Sequence, residues 1–209
     1  MRKFTALVVA CLVLAIPVAA YAGKYNPVLK IGDTAPEWSG LEGTDGKPHA
    51  LKDVGDKEVV VIGFICNTCD YARDCEERLI ALAEKFEAEG GKCALVAINP
   101  NLIKDDLLPA MQERAKLREF NFLYLHDGSK QETAKSYGIT FTPEFVVLNK
   151  ERKVVYLGAL DDSPDGKKVT KKYVEDAVAA ALEGKLPEIT ETPAVGCAVR
   201  KPPRERSKK

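Results

Sequence analysis

Residues 59–75 read VVVIGFICNTCDYARDC, and the rest of the chain is organised around this stretch. It opens with an apolar run that is too short for a helix buried on every face, and its β-branched content favours a fully buried central strand. Cys66 and Cys69 follow at C-x-x-C spacing. A helical pattern then begins, whose apolar face consists of Ala72, Cys75, Leu79, Leu82, Ala83 and Phe86. The stretch therefore predicts a strand that runs into a dithiol at the start of a helix.

The predicted position of the dithiol favours the thiolate form of its cysteines. We expect the helix to run from about Thr68 to Glu89, which places Cys69 in its first turn and Cys66 just before it. A helix start offers free N–H groups and the positive end of the helix dipole, and both stabilise a thiolate, the reactive form. Residues three apart on a helical turn are also close enough to close a disulfide. The pair is a candidate redox centre, with a structural disulfide or a metal site as the alternatives.

The first 22 residues have the three parts of a secretory signal peptide. Two basic residues precede an apolar run over residues 4–20, and an A-x-A end follows at residues 20–22. A retained membrane anchor and a lipoprotein cleavage box that ends at Cys11 are the alternatives. The pattern favours cleavage after Ala22, with no membrane span left in the mature chain.

We therefore expect the protein to be exported to the periplasm or the extracellular space. Mass spectrometry of the exported protein should find Gly23 at the N-terminus, because the small residues at positions 20 and 22 suit signal cleavage there. An intact Met1, or a lipid on Cys11, would contradict this expectation.

Without residues 1–22 the sequence keeps five cysteines, which are Cys66, Cys69, Cys75, Cys93 and Cys197. Five is an odd number, and it is too few for a small domain that depends on disulfides. It suits one redox pair with buried or spare thiols. Cys75 falls on the apolar helix face and Cys93 in a predicted core strand, so both are predicted to be inert buried thiols.

Charge gives no reason to expect a nucleic-acid partner. Residues 23–198 contain 23 basic and 30 acidic residues, so this part is mildly acidic. Residues 199–209 contain six basic residues and one acidic residue, and they are predicted to form a solvated, disordered end. We expect the folded domain to span residues 23–187 and a C-terminal extension to cover residues 188–209.

The remaining pattern predicts an α/β domain with a central mixed sheet flanked by helices. The turn signal at residues 44–47 predicts an N-terminal hairpin before the main sheet. Residues 93–98 read as a second buried strand, and the β-α-β order implies a right-handed crossover with parallel pairing. The other predicted elements are a helix from about 107 to 120, a short strand at 122–125, a short helix at 131–137, an extended run at 139–148, a hairpin strand at 154–157 and a final helix at 169–182.

Four features occur together along the chain. They are the lead IGDTAP at residues 31–36, the strand–dithiol–helix unit, Thr142-Pro143 before a strand, and the closing hairpin and helix. In this combination, over about residues 29–187, the chain resembles the thioredoxin superfamily and more narrowly its redoxin branch, of the alkyl hydroperoxide reductase/thiol-specific antioxidant type. The resemblance implies that Pro143 is a cis-proline that lies against the dithiol and, with Thr142, helps to bind an extended substrate. An ordinary trans proline that opens a strand is the alternative.

Three departures from the family pattern bear on the chemistry. Thioredoxins usually place the reactive cysteine five residues after the strand phenylalanine, and Phe64 plus five is Cys69. Peroxiredoxins carry a threonine three residues and a proline seven residues before their peroxide-reacting cysteine, where this chain has Cys66 and Ile62. Thioredoxins also bury an acid where this chain has Gly63. The resemblance therefore favours dithiol exchange over peroxide reduction, with Cys69 as the attacking thiol; Cys66 as the nucleophile is the alternative.

Two further residues are candidates for auxiliary roles. Arg73 lies one turn after Cys69 and would favour its thiolate, whereas Asp70 would oppose it, and both are alternatively solvated surface charges. Cys197 follows Gly196 outside any periodic element, and some exported redoxin-like proteins have a similar Gly-Cys near the C-terminus. Cys197 is a candidate third redox thiol, a partner for an unpaired cysteine, or a free end.

The resemblance implies an exported thiol–disulfide oxidoreductase. One thiolate of the Cys66/Cys69 pair would attack a substrate disulfide, and the second cysteine would resolve the mixed disulfide. No bound cofactor or metal is expected, and the electrons pass between the pair and a partner protein or a small thiol. The alternatives are a peroxiredoxin-like antioxidant peroxidase and a metal-binding module of the same fold, to which a distant histidine, His49 or His126, would contribute.

Overall fold

The computed structural model of the protein describes residues 23–201. The predicted signal peptide at residues 1–22 and the last part of the predicted basic tail, residues 202–209, lie outside the described residues. Among residues 23–201 no helix combines the length and the apolar character that a membrane span requires.

A seven-stranded mixed sheet forms the centre of the fold. The strands of the described chain are β1 (Ser39–Gly43), β2 (Pro48–Ala50), β3 (Val59–Phe64), β4 (Cys93–Asn99), β5 (Leu123–His126), β6 (Phe141–Thr142), β7 (Glu144–Leu148), β8 (Val154–Gly158) and β9 (Cys197–Ala198). The order in the sheet is β2-β1-β5-β4-β3-β7-β8, and β6 pairs with β9 apart from it. This is the predicted α/β class, with the predicted N-terminal hairpin, β1–β2, at one edge.

Strand β3 lies in the middle of the sheet and is buried along its whole length. It pairs in parallel with β4 over Val59↔Cys93 to Phe64↔Ile98, and antiparallel with β7. All six of its residues are buried, as expected for an apolar strand covered on both faces. Full burial of a valine or isoleucine side chain stabilises the fold by roughly 1.5–3 kcal/mol. The strand therefore fixes the point from which the dithiol loop leaves the sheet.

Four α-helices of residues 23–201 cover the two faces of the sheet. They are α1 (Asp70–Ala88), α2 (Leu108–Arg118), α3 (Glu132–Ser136) and α4 (Tyr173–Leu182). Leu79 of α1, Met111 of α2 and Val174 of α4 pack in one core on one face of the sheet. Ala134 of α3 packs in a second core on the opposite face, together with Trp38 from the N-terminal segment.

A buried ion cluster holds α1 against α2. Glu76 is 3% exposed, and its two carboxylate oxygens accept from Arg114 Nε at 2.6 Å and from Arg118 Nε at 3.0 Å. Because both arginines pair with the same buried acid, the start of α1 and the whole of α2 are positioned together. The segments just before these two helices, with Cys66 and Cys69 before α1 and Asp106 before α2, belong to the site described below.

The final helix begins later than the sequence predicts. It was expected from Val169 but starts at Tyr173. The carboxylate of Asp162 accepts hydrogen bonds from the backbone N–H and the hydroxyl of Thr170, and the Asp162 N–H donates to the carbonyl of Lys171. These hydrogen bonds hold the backbone of Thr170 and Lys171 in a loop. The residues just before Tyr173 therefore do not join the helix.

The chain continues to pack past Pro187, where the sequence predicts the domain to end. The N–H of Leu157 donates to the carbonyl of Thr190 at 3.0 Å, and the N–H of Arg200 donates to Asn101 Oδ1 at 2.7 Å. Hydrogen bonds of its backbone groups hold this segment. Such bonds require no periodic pattern of apolar side chains, so the sequence does not show that the segment is packed. Residues 188–201, the described part of the predicted extension, therefore belong to the same packed domain.

Candidate active site

The dithiol lies in the short loop between β3 and α1. Strand β3 ends at Phe64 and α1 begins at Asp70, so Cys69 is the residue just before the helix. It was expected in the first helical turn, but its backbone is extended, with φ −94° and ψ 121°. Cys66 is 2% exposed and Cys69 1% exposed, and both are free thiols. The loop holds two reduced sulfurs beneath the surface.

The thiol of Cys69 is directed towards a neighbouring loop and not towards the helix start. Its side chain makes no capping hydrogen bond with α1. Its Sγ–H donates instead to the carbonyl oxygen of Thr142, at a distance of 3.1 Å. Since a thiolate cannot donate a hydrogen bond, this arrangement belongs to protonated Cys69. Deprotonation removes this hydrogen bond.

Thr142 contacts both thiols of the pair. Its Oγ1 lies 3.1 Å from Cys66 Sγ, while its carbonyl accepts from Cys69. Thr142 is fully buried, and the Thr142–Pro143 peptide bond is cis, which is the conformation that the family resemblance implies. The structure therefore brings Thr142 and the adjoining Pro143, the predicted substrate-binding residues, next to the predicted catalytic pair.

A buried acid anchors the dithiol loop from below. The carboxylate of Asp106 is fully buried and accepts hydrogen bonds from the backbone N–H of Asn67 and from the hydroxyl of Thr68, both at 2.6 Å. These are the two residues between the cysteines. Asn101 Nδ2 donates to the same carboxylate at 2.9 Å, and Asn99 Nδ2 donates to it at 3.3 Å. Asp106 thus fixes the backbone of the loop that carries both sulfurs.

Tyr124 completes this network from β5. Its hydroxyl donates to Asn67 Oδ1 at 2.9 Å and accepts from Asn99 Nδ2 at 3.1 Å. Neither Asp106 nor Tyr124 was predicted from the sequence. The polar Asn99 and Asn101, which follow a buried strand beside β3, are the signal that indicates a polar site at this end of the sheet.

The surroundings of Cys66 disfavour its ionised form. Burial raises the pKa of the Cys66 thiol above that of an ordinary cysteine; the hydrogen bond with Thr142 opposes this, and the negative charge of Asp106 adds to it. The helix-start argument predicts that one thiol of the pair has a lowered pKa. For Cys66 the shift has the opposite direction.

The two charged residues predicted near Cys69 pair with each other. Arg73 Nη1 lies 3.1 Å from Asp70 Oδ1, and both side chains are largely exposed. Only the backbone N–H of Arg73 contacts Cys69, by donating to its carbonyl at 2.9 Å. The structure therefore places the guanidinium in a solvated surface pair, which is the alternative noted from the sequence.

The other residues considered from the sequence include two buried cysteines and two histidines. Burial raises the pKa of Cys75 and of Cys93 to about 11 each, as expected for structural thiols. His49 lies against Asp45, and His126 Nε2 lies 3.3 Å from the carbonyl of Asn101. Within residues 23–201 no three His, Cys, Asp or Glu side chains are grouped so that they could hold a metal ion.

Cys197 lies next to the pair, 128 residues along the chain from Cys69. It is the first residue of β9 and pairs with Thr142 of β6. Contact with the Cys69 thiol, together with burial, raises the pKa of Cys197 to about 11. The structure therefore brings Cys66, Cys69 and Cys197 together around Thr142.

An apolar cavity opens beside this cluster. Its volume is about 230 Å³, and its lining includes Tyr71, Pro143, Leu160, Tyr173 and Val195. It has the size and character to take one apolar side chain next to the cis-proline loop.

Solved structures of other proteins share this fold. An uncharacterized conserved protein from Geobacillus kaustophilus is 30% identical, with a TM-score of 0.76 over 85% of this chain and 95% of that chain. A thiol-disulfide oxidoreductase from Bacteroides fragilis NCTC 9343 is 20% identical, with a TM-score of 0.51 over 60% of this chain and 89% of that one. A peroxidoxin from Mycobacterium tuberculosis is 20% identical, with a TM-score of 0.56 over 74% and 97%. The last two show the fold alone, and the curated proteins gave no match.

The family comparison is more specific. The sequence model of the Redoxin family matches residues 30–177, which is more than half of the chain. The matched region contains Cys66, Cys69 and the Thr142-Pro143 loop, and it ends before Cys197. With its thioredoxin-like sheet, its dithiol loop between β3 and α1 and the proline loop that contacts it, this chain belongs to the Redoxin family.

Proposed function

We propose that this protein is a thiol–disulfide oxidoreductase that works by exchange at Cys66 and Cys69. Family membership supports a thioredoxin-like redox function in general terms. The observation that carries the finer proposal is the contact of Thr142 with both thiols, at 3.1 Å each. One residue of the predicted substrate loop thus touches the two sulfurs that must act in turn.

In this proposal Cys69 attacks and Cys66 resolves. Cys69 lies directly before α1, where free N–H groups stabilise the thiolate once it forms. Its sulfur also lies at the carbonyl of Thr142, in the loop that the family resemblance implies for substrate binding. Burial raises the pKa of Cys66 above that of an ordinary cysteine, and the Thr142 hydroxyl can donate to its thiolate when that forms.

The reaction is a two-step exchange that balances in atoms and electrons. The Cys69 thiolate attacks one sulfur of a substrate disulfide, the substrate S–S bond breaks, and the other substrate sulfur leaves as a thiolate that takes up a proton. The Cys66 thiolate then attacks Cys69 Sγ, which releases the second substrate thiol and leaves a Cys66–Cys69 disulfide. The substrate gains two electrons, and a partner dithiol or two monothiols reduce the Cys66–Cys69 disulfide and become a disulfide themselves. The same steps in reverse oxidise a substrate dithiol.

The proposed function predicts catalysis of protein disulfide reduction. The purified protein should accelerate the reduction of insulin by dithiothreitol, followed as the turbidity of the released chains. Cys66→Ala should lose this acceleration because the mixed disulfide is no longer resolved by the pair, whereas Cys93→Ala should keep it because Cys93 lies outside the loop. The protein should consume hydrogen peroxide no faster than the dithiothreitol alone does.

The opposite pattern would contradict the proposal. Fast peroxide consumption that depends on Cys69, without insulin reduction, would identify the peroxiredoxin-like peroxidase instead. We also propose that the exchange takes place after export, for which residues 1–22 are the only support and for which the N-terminus at Gly23 is the test given above.

A further inference from the structure

The dithiol is covered in this structure, and one partly exposed thiol lies beside it. Cys66 and Cys69 are 2% and 1% exposed, so both sulfurs lie beneath the surface. Cys197 has intermediate exposure, pairs with Thr142 and packs against the buried cluster that includes Cys66 and Cys69. A partly exposed thiol therefore lies beside the buried pair.

The C-terminal strand occupies the edge that a substrate strand would use. Strand β6 has β9 as its one strand partner among the described residues, with Phe141 opposite Ala198 and Thr142 opposite Cys197. The N–H of Val199 continues the pairing by donating to the carbonyl of Thr140 at 2.9 Å. An extended segment that adds to a sheet edge is a common mode of peptide recognition, and here the segment belongs to the same chain.

Gly196 allows this close approach. A Cβ atom at position 196 would lie 2.1 Å from the Thr142 carbonyl oxygen and 3.0 Å from Pro143 Cδ. The Thr142 group is backbone and cannot turn away, so only glycine fits at this position. The Gly196-Cys197 pair is thus shaped to bring the thiol onto the Thr142 loop.

We propose that Cys197 is a third exchange thiol, which passes the disulfide between the buried Cys66–Cys69 pair and partners at the surface. This inference rests on the proposed function. In the step itself the Cys197 thiolate attacks Cys69 Sγ of the Cys66–Cys69 disulfide. A Cys69–Cys197 bond forms, the Cys66–Cys69 bond breaks, and Cys66 leaves as a thiolate that takes up the proton Cys197 lost. The number of disulfides is unchanged, so no further oxidant is needed.

The test is to map disulfides in variants equilibrated with oxidised and reduced glutathione, acid-quenched, alkylated and digested without reductant. In Cys66→Ser, the Cys69–Cys197 bond should be the main internal disulfide. Adding Gly196→Ala should lower its yield roughly tenfold, because detaching β9 lowers the effective concentration of Cys197 at Cys69. Adding Gly166→Ala is the matched control and should leave the yield unchanged, since a Cβ there meets its nearest neighbour, Arg78, at 3.6 Å.

The outcomes separate this inference from the proposed function. If Cys197→Ser forms the Cys66–Cys69 disulfide but Cys66→Ser forms no Cys69–Cys197 bond, the inference is wrong and the proposed function stands. If Cys66–Cys69 does not form in Cys197→Ser or in the wild type, the proposed function itself fails. An equal yield in Gly196→Ala and Gly166→Ala would show that β9 does not deliver Cys197, and would also overturn the inference.

Discussion

Mixed with oxidised glutathione, the double variant Cys66→Ser/Cys197→Ser is expected to retain one glutathione on Cys69. The matched variant Cys69→Ser/Cys197→Ser is expected to retain little. In the first variant Cys69 can attack, but neither thiol that could release the adduct is present. In the second, the remaining Cys66 is buried with a raised pKa and holds its proton. Intact-mass spectrometry before and after reduction measures the adduct directly.

Removal of the Cys69 thiol should also have a large effect on turnover. Without an attacking thiol, Cys69→Ser should lose roughly 10³-fold or more in insulin reduction, as is usual when a nucleophile is removed. Cys75 and Cys93 serve as an internal control in every variant, because burial raises their pKa to about 11. If Cys69→Ser/Cys197→Ser is the variant that retains glutathione, the roles are reversed and Cys66 is the nucleophile.

The central part of the fold could be predicted because its causes are local. The apolar run at residues 59–65 predicts a buried strand, which the structure has at Val59–Phe64, and the helical face from Ala72 to Phe86 predicts α1; both elements are confirmed. The start of α1 was placed two residues early, because the helix-favouring pattern does not show that Thr68 is bonded through its hydroxyl to Asp106. That hydrogen bond helps to hold the loop outside the helix.

The parts of the site that could not be predicted depend on contacts between distant segments. Strand β9 is two residues long and pairs with β6 through its backbone, so neither apolar alternation nor turn signals mark it. Asp106 lies in a polar stretch that is indistinguishable from a surface loop until the fold brings it under Asn67 and Thr68. Asp106 therefore has no role predicted from the sequence, and Cys197 of β9 has only the three alternatives given above.

Asp106→Asn is expected to lower the stability of the fold and to lower the pKa of Cys66. The two oxygens of the carboxylate accept hydrogen bonds from Asn67, Thr68, Asn101 and Asn99. An asparagine side chain has one acceptor oxygen, and its NH₂ group would face some of these donors without forming a hydrogen bond. Leaving such buried groups unpaired should lower the free energy of unfolding by about 2–4 kcal/mol, measured by urea denaturation. Asp105→Asn, one residue away with an exposed side chain, should change it by less than about 0.5 kcal/mol.

The same substitution should shift the ionisation of Cys66 in a defined direction. The negative charge of Asp106 contributes to the raised pKa of Cys66, so its removal lowers that pKa. At a pH below the pKa, a lower pKa means a larger thiolate fraction and faster reaction of Cys66. In the Cys69→Ser/Cys197→Ser background, the midpoint of the alkylation rate of Cys66 against pH should therefore move to lower pH in Asp106→Asn and stay in place in Asp105→Asn.

A loosened loop could lower the same pKa by exposing Cys66, and Tyr124→Phe separates the two causes. That variant loses the hydrogen bond from the Tyr124 hydroxyl to Asn67 Oδ1 but removes no charge. If the midpoint moves as far in Tyr124→Phe as in Asp106→Asn, exposure and not the carboxylate controls Cys66. If it moves in Asp106→Asn alone, the carboxylate beneath the loop acts electrostatically on Cys66. Such a result would show that Asp106 is a buried acid that raises the pKa of Cys66. Thioredoxins carry their buried acid at the position of Gly63, so the acid in this chain would act from a different position.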